Sequence, residues 1–283
     1  MSVQSPFDLY VSIRRLIDDA LAEDIGTGDV TSQSVIPEGL RFKGVMAARE
    51  EIVVAGLPFA AEVFRTVVPE ATFAAKATDG DRLKPGAIIA EMEGPARGLL
   101  TAERTALNLL QHLSGISTLT RSYVDVIAGT GAILLDTRKT IPGLRQAAKY
   151  ATRMGGAQNH RMGLYDGVLI KDNHIAVCGS VGEAVRRAQA AGTGKVEVEC
   201  DTLEQVAEAV AAHADIILLD NMVPAQLREA VALVGKRAKT EASGGVNLET
   251  IRAIAETGVD YISVGRLTQS AKAVDIGLDW VAE

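Results

Sequence analysis

Cysteine is scarce in this chain: of 283 residues two are cysteine, Cys178 and Cys200, at no metal-ligand spacing. That excludes a disulfide framework and a thiolate-built zinc site, and it fits a reducing compartment. Cys200 ends an apolar strand pattern, so it reads as core packing and not as a nucleophile. Long apolar runs are also missing. No window holds the roughly eighteen uninterrupted apolar residues of a membrane span. The N-terminus lacks the basic start and apolar run of a signal peptide, so a cytoplasmic protein with no membrane partner is expected. Positive charge is in deficit overall, with a formal net charge of -7 and a pI near 5.3. Nucleic acid is therefore not expected as a partner, and any basic patch is a local site.

One stretch runs against that deficit. Residues 135–174 read LDTRKTIPGLRQAAKYATRMGGAQNHRMGLYDGVLIKDNH. Arg138, Lys139, Arg145, Lys149, Arg153, Arg161 and Lys171 crowd into it with His160 and His174, and Asp166 is the only acid strictly between Arg138 and Lys171. For Arg145, Lys149 and Arg153 a solvated basic helix face is as good a reading as a functional one. Arg138, Lys139, His160, Arg161 and Lys171 fall at strand ends or in a glycine-flanked loop, where no helical stripe explains them. Fixed cations gathered in an acidic protein suit a polyanionic small molecule.

In chain order, residues 8–23 place Leu9, Val11, Ile13, Leu16, Ile17 and Leu21 at the spacing of an amphipathic helix. The acids of the following glycine-rich loop, 23–31, read as capping and turn chemistry. Short strands follow at 45–48, 52–55, 71–77 and 87–92, with a helix over 58–67 and a tight turn at 80–86. They predict an α+β sandwich of about one hundred residues. A helix is predicted from 99 to 128, with a break near Ser114 and Gly115, and His112 on it reads as a satisfied interface residue. From residue 131 the pattern is regular. Apolar strands at 132–136, 167–171, 195–200, 215–219, 237–241 and 260–264 alternate with helices, the first opened by Pro142, and a final helical segment closes the chain. These βα units, without a dinucleotide fingerprint, predict an α/β barrel. Six units fall short of eight, so the barrel is incomplete or holds a further strand. The expected domains are 1–115 and 116–269, leaving open that the C-terminal segment 270–283 packs back on the first.

Functional groups of a parallel barrel gather at the carboxyl ends of its strands. Those ends carry Asp136 to Lys139, Lys171 to His174, Glu197 and Glu199, Asp220 and Asn221, Glu241 to Asn247, and Gly265 and Arg266. Glu197 and Glu199 share one strand face and should look into the barrel, Glu199 nearer the mouth. For Glu197 a structural ion pair with an interior lysine is an equal reading. Ser243, Gly244 and Gly245 open toward the next helix, where exposed backbone amides bind phosphate, and Gly265 fits a second lip of that cup. Glu199 and Asp220 suit Mg2+, which takes a few carboxylates, waters and substrate phosphates. Residues alone thus give a barrel enzyme for a phosphorylated, anionic substrate.

At these residues the chain resembles the quinolinate phosphoribosyltransferase family. The likeness runs through AEDIGTGDVTS (22–32), TAERTALNLLQHLSGISTLT (101–120), DTRKTIPGLR (136–145), GGAQNHRMGLYDGVLIKDNH (155–174), VEVEC (196–200), LLDN (218–221), EASGGVN (241–247) and SVGRLTQS (263–270). The resemblance implies an α/β protein: an N-terminal sandwich followed by an incomplete, about seven-stranded α/β barrel. It implies transfer of phosphoribosyl from phosphoribosyl pyrophosphate to quinolinate with decarboxylation, in NAD biosynthesis, with Mg2+. It implies a homodimer, or a hexamer built from dimers, whose sites are shared across subunits. Arg138, His160 and Arg161 would meet the quinolinate carboxylates, and Arg104 would arrive from the partner. Lys139 and Lys171 would line the centre, and Glu199 and Asp220 would face the ribose and Mg2+. Ser243, Gly244, Gly245 and Gly265 would hold the 5-phosphate. Two positions depart from the family pattern: Arg266, where many relatives have a small residue, and Gln269, where some have histidine.

Two rival readings stay open at this point. One is a barrel aldolase with Lys171 as Schiff base, which requires neither the arginines nor the carboxylate pair. The other is a molybdenum-transport-associated relative of the same fold, expected to lose the Lys171-Asp172-Asn173 signature that is intact here.

Overall fold

The computed structural model describes residues 6–281. In chain order, α1 (Pro6–Ile25) and α2 (Val30–Val35) precede β1 (Arg41–Ala48), β2 (Ile52–Val53), α3 (Leu57–Val67), β3 (Thr72–Ala75), β4 (Arg82–Leu83), β5 (Ile88–Pro95) and α4 (Ala96–Val126). Then come β6 (Ile133–Leu135), α5 (Arg145–Met154), β7 (Val168–Ile170), α6 (Asp172–Cys178), α7 (Val181–Ala190), β8 (Val196–Cys200), α8 (Leu203–Ala211) and β9 (Ile216–Asp220). The chain ends with α9 (Pro224–Val234), β10 (Lys239–Ser243), α10 (Ile251–Ala255), β11 (Tyr261–Ser263), α11 (Arg266–Gln269) and β12 (Ile276–Trp280). The chain divides into two compact units. One takes the residues up to Arg121, Thr140–Gly156 and those from Ser270 on; the other takes Ser122–Lys139 and Ala157–Gln269.

The first unit is built on an antiparallel sheet in the order β12-β1-β5-β3. Its core joins Ile17 of α1, Phe59 and Phe64 of α3, Met46, Ile89 and Met92 of the sheet, and Leu99, Leu110 and Leu113 of α4. Ile13, Ile17 and Leu21 bury the inner stripe of α1, whereas Val11 is exposed and the side chain of Leu9 lies outside the described residues. Of the acids before α2, Asp29 acts as its cap, accepting the Ser32 amide at 2.9 Å, whereas Asp24 accepts the Thr105 hydroxyl of α4 at 3.3 Å. Helix α4 runs unbroken through Ser114 and Gly115. A Cβ at Gly115 would overlap the Lys272 carbonyl, so glycine there lets the backbone of 272–273 cross the helix. The expected closing helix stops at Gln269, and β12 pairs with β1 from Gly44↔Trp280 to Ala48↔Ile276. Helix α5 begins at Arg145, after Pro142, and also belongs to this unit. Lys149 on it is fully buried, which overturns the solvated-face reading for that residue.

The second unit is a parallel sheet in the order β6-β11-β10-β9-β8-β7. Its strands are short and alternate with helices, and apart from β8 and β10, which carry Glu197, Glu199 and Glu241, they are largely apolar, the pattern of a sheet buried on both faces. Beyond β6 a single parallel bridge joins Leu135 to Gln158. Among the described residues the sheet therefore has six strands, and one bridge stands where a seventh would lie. Acids at the amino ends of the strands serve the backbone. Asp215 accepts the Val196 amide at 2.8 Å and Asp260 accepts the Thr240 amide at 2.9 Å. Chemistry is left to the carboxyl ends.

Candidate active site

Four carboxyl ends converge on one rim. Lys171, directly after β7, gives its ammonium to Glu199 of β8. It also caps α6, a helix absent from the elements predicted from sequence, and its amide donates to His174 Nδ1 at 2.9 Å. Asp220 ends β9 beside Ser243 of β10. Its carboxyl is raised above the ordinary 3.8 by burial and by the charges of Glu199 and Asp201, against the pull of Lys171 and Lys139. Lys139, Lys171, Glu199 and Asp220 thus share one electrostatic neighbourhood. Lys139 lies across Gly265, where an added Cβ would stand 2.9 Å from Lys139 Cδ.

The glycine loop after β10 has the form of a cup but not the expected setting. Gly244 and Gly245 both take left-handed φ, +90° and +64°, and a Cβ on Gly244 would overlap the Asn221 side chain. Asn221, itself at φ 54°, donates its amide to the Ser243 carbonyl at 2.9 Å. Helix α10 begins only at Ile251, so Ser243, Gly244 and Gly245 are not a helix start. Asn247 instead uses its side chain to accept the amides of Glu249 and Thr250. Arg266 is exposed at the start of α11, and its charge acts on Tyr123, whose phenol is raised chiefly by burial.

Beside the rim, a knot of hydrogen bonds shapes the loop between Gln158 and β7. Buried Asp136 accepts the His160 amide at 2.9 Å, and Asp166 accepts the amides of Met162 and Gly163. Arg161 Nη1 donates to the Gly167 carbonyl at 3.0 Å. The Arg161 guanidinium is lowered from its ordinary value by burial first and by Arg138 second. Two partly sheltered guanidiniums close enough to repel make a strong anion site.

Next to Arg161, within reach of its charge, lies a group that the sequence pattern shows only in pieces. Glu197 and Glu241 are buried, and His160 Nε2 stands 3.1 Å from Glu197 and 3.6 Å from Glu241. Glu197 does face inward, but its partner is His160 and not the lysine considered from sequence. The signal was present: Glu241 breaks the interior face of β10 as Glu197 breaks that of β8. Arg104 lies in the other unit, exposed on α4.

Comparisons with known proteins agree along the chain. Residues 29–114 match the quinolinate phosphoribosyl transferase N-terminal domain and residues 116–279 the C-terminal domain of the same family. A probable nicotinate-nucleotide pyrophosphorylase [carboxylating] of Bacillus subtilis is 47% identical over 272 residues, covering 95% of this chain and 94% of its own length. The corresponding Mycobacterium leprae protein is 47% identical over 277 residues, covering 95% and 98%. The solved nicotinate-nucleotide pyrophosphorylase of Francisella tularensis superposes with a TM-score of 0.93 at 42% identity, covering 98% of each chain.

Proposed function

The chain belongs to the quinolinate phosphoribosyltransferase family, and from that premise we propose that it is the enzyme joining quinolinate to the ribose of phosphoribosyl pyrophosphate. The products are nicotinate mononucleotide, pyrophosphate and CO2, a step of NAD biosynthesis. The observation that carries this reading is the meeting of Lys139, Lys171, Glu199 and Asp220 on one rim of the sheet.

In this reading Arg138, His160 and Arg161 meet the two carboxylates of the pyridine and turn its nitrogen toward the anomeric carbon. Arg104 joins them from the partner subunit of a homodimer or of a hexamer of dimers. Ser243, Gly244, Gly245 and Gly265 seat the 5-phosphate. Ribosyl transfer passes through an oxocarbenium-like state, and the carboxylates of Glu199 and Asp220 face the positive charge that develops there. Lys139 and Lys171 take up charge on the departing pyrophosphate. Attack leaves the ring nitrogen cationic. The adjacent carboxylate then leaves as CO2, its bonding pair stays on the ring carbon, and that carbon takes a proton. Most of the protein's contribution is positioning and charge.

Glu199 and Asp220 would also hold Mg2+. The Asp220 carboxyl is raised first by burial and then by the charges of Glu199 and Asp201, so a cation held between Glu199 and Asp220 would offset charge that burial leaves poorly solvated. One or two carboxylates with substrate phosphates is the donor set Mg2+ prefers. Bound there, the ion would stabilise negative charge on the pyrophosphate. An aldolase reading finds no support: Lys171 Nζ is engaged by Glu199, and the arginines and the Glu199 and Asp220 carboxylates are groups a Schiff-base reaction does not require. A cytoplasmic setting fits this reaction.

Purified protein with quinolinate, phosphoribosyl pyrophosphate and Mg2+ is expected to form nicotinate mononucleotide and CO2 in equal amounts, and EDTA is expected to stop both. Turnover of nicotinate in place of quinolinate would overturn the substrate. Inactivity with both would move the chain to the transport-associated branch.

A further inference from the structure

His160, Glu197 and Glu241 bring a ring nitrogen and two carboxylate oxygens within 4.8 Å of one another. Glu241 is 1% exposed, and its Oε1 has no hydrogen-bond partner. Such a group holds either a metal ion or a proton. Spacing does not decide between them, since separations of 3.1 and 3.6 Å bracket the edge of about 3.3 Å in a tetrahedral site with bonds of about 2.0–2.1 Å. The other ring nitrogen does decide. His160 Nδ1 lies 2.8 Å from the Arg161 amide nitrogen, which can only donate. Nδ1 therefore carries the lone pair, and the ring proton sits on Nε2, facing the carboxylates. A metal on Nε2 would need that proton on Nδ1, pressed against an N–H.

The interior thus holds protons. Two carboxylates that share one N–H in a dry site cannot both ionise cheaply. Burial and the Glu197 charge both raise the Glu241 carboxyl, against His160 and a hydrogen bond from Ser263. Glu241, the deeper of the two, has its carboxyl pushed up to about 8, chiefly by burial. Arg161 feels the charges of both Glu197 and Arg138, which ties the group to the two guanidiniums.

We propose that Glu241 is a positioning residue for the anion pocket: with Glu197 it holds the His160 ring with Nε2–H inward and Nδ1 against the Arg161 amide, and so presets the loop from which Arg161 meets the dicarboxylate. This rests on the quinolinate reading, so wild type must turn over quinolinate before any variant is informative; a wild type without that activity would refute the function and not the positioning.

The test compares Glu241→Gln with Glu241→Leu. Glutamine keeps a neutral donor and acceptor in the same shape, and leucine keeps neither. Leucine is expected to raise the KM for quinolinate by about tenfold, equivalent to roughly 1.4 kcal/mol, with the KM for phosphoribosyl pyrophosphate nearly unchanged. Glutamine is expected to recover the wild-type KM within about threefold. An unchanged quinolinate KM in the leucine variant, or a glutamine variant as impaired as leucine, overturns the proposal. Nitrogen-15 spectra of histidine-labelled wild type supply a readout free of folding defects. The His160 proton is expected on Nε2, and a proton on Nδ1 refutes the assignment. So does one equivalent of transition metal that co-purifies with wild type and is lost in Glu241→Gln.

Discussion

Asp220 is a carboxylate kept where its charge is resisted. Burial, Glu199 and Asp201 raise it above 3.8, so the folded state binds its proton more tightly than the unfolded chain does. Stability from that proton is complete below the ordinary value and is lost as pH rises through the folded one. Asp220→Asn is therefore expected to melt higher than wild type at neutral pH, with the gain vanishing as pH falls toward 3.8, while turnover collapses. A variant that melts lower at neutral pH would contradict this. Arg138→Ala, Lys139→Ala and Glu199→Ala each remove one preorganised charge, and each is expected to cost about 10²–10³ in kcat/KM. Near-normal values in all three, in protein with native melting, would sink the site. Cys200 makes the contrast. It is fully buried and its thiol is pushed up to about 12, chiefly by burial. A thiol reagent should titrate one cysteine, the half-buried Cys178, in native protein and both after denaturation.

At the scale of elements, α4 shows what a helix gains from hydroxyls on a buried face. Thr118 Oγ1 accepts the Val53 amide at 2.8 Å, and Ser114 Oγ accepts the Ala55 amide at 3.0 Å. Ser117 Oγ donates to the Val53 carbonyl. Val53 at the end of β2 and Ala55 beyond it thus have polar groups met by helix side chains, whereas Val54 between them bonds the backbone of Asp81 and Gly80. Ser114→Ala leaves both the Ala55 amide and carbonyl without that hydroxyl, and a loss of about 1–3 kcal/mol is expected in chemical denaturation. A loss under about 0.5 kcal/mol would mean that other groups replace it.

The same helix marks where sequence reading ended. Its apolar periodicity was legible, but Ser114-Gly115 resembles a break unless one knows that the 272–273 backbone crosses there. The strands from β6 to β11 were legible because buried parallel strands are short apolar runs, and their carboxyl ends located Lys139, Lys171, Glu199 and Asp220. Helix α6 was hidden because its cap is a lysine amide bonded to His174, not a Ser, Thr, Asp or Asn signature. Strand β12 was hidden because IGLDW has a partner, β1, more than two hundred residues away. The role of Glu241 needed three separate stretches, around 160, 197 and 241, to meet in space.

For the whole molecule, the distribution of cations matters most. Arg104 projects from α4 in one unit, whereas Arg138, Lys139, Arg161 and Lys171 lie in the other. It is exposed although its neighbours Thr105, Ala106 and Leu107 are buried. An arginine held out on a rigid helix suits a site on a second copy of the chain, as the proposed shared active site requires. If so, Arg104→Ala and Arg138→Ala disable different contributions to the same site. In a homodimer of either variant both sites fail. Subunits of the two variants mixed at random form heterodimers in about half the molecules, and each heterodimer has one site with both arginines intact. Mixing after reversible dissociation is expected to restore about a quarter of wild-type activity from two inactive preparations. Co-expression with separate affinity tags should place the regained activity in the doubly tagged species alone. If that species is as inactive as its parents while wild-type subunits exchanged the same way keep full activity, Arg104 serves its own chain and the shared site is wrong.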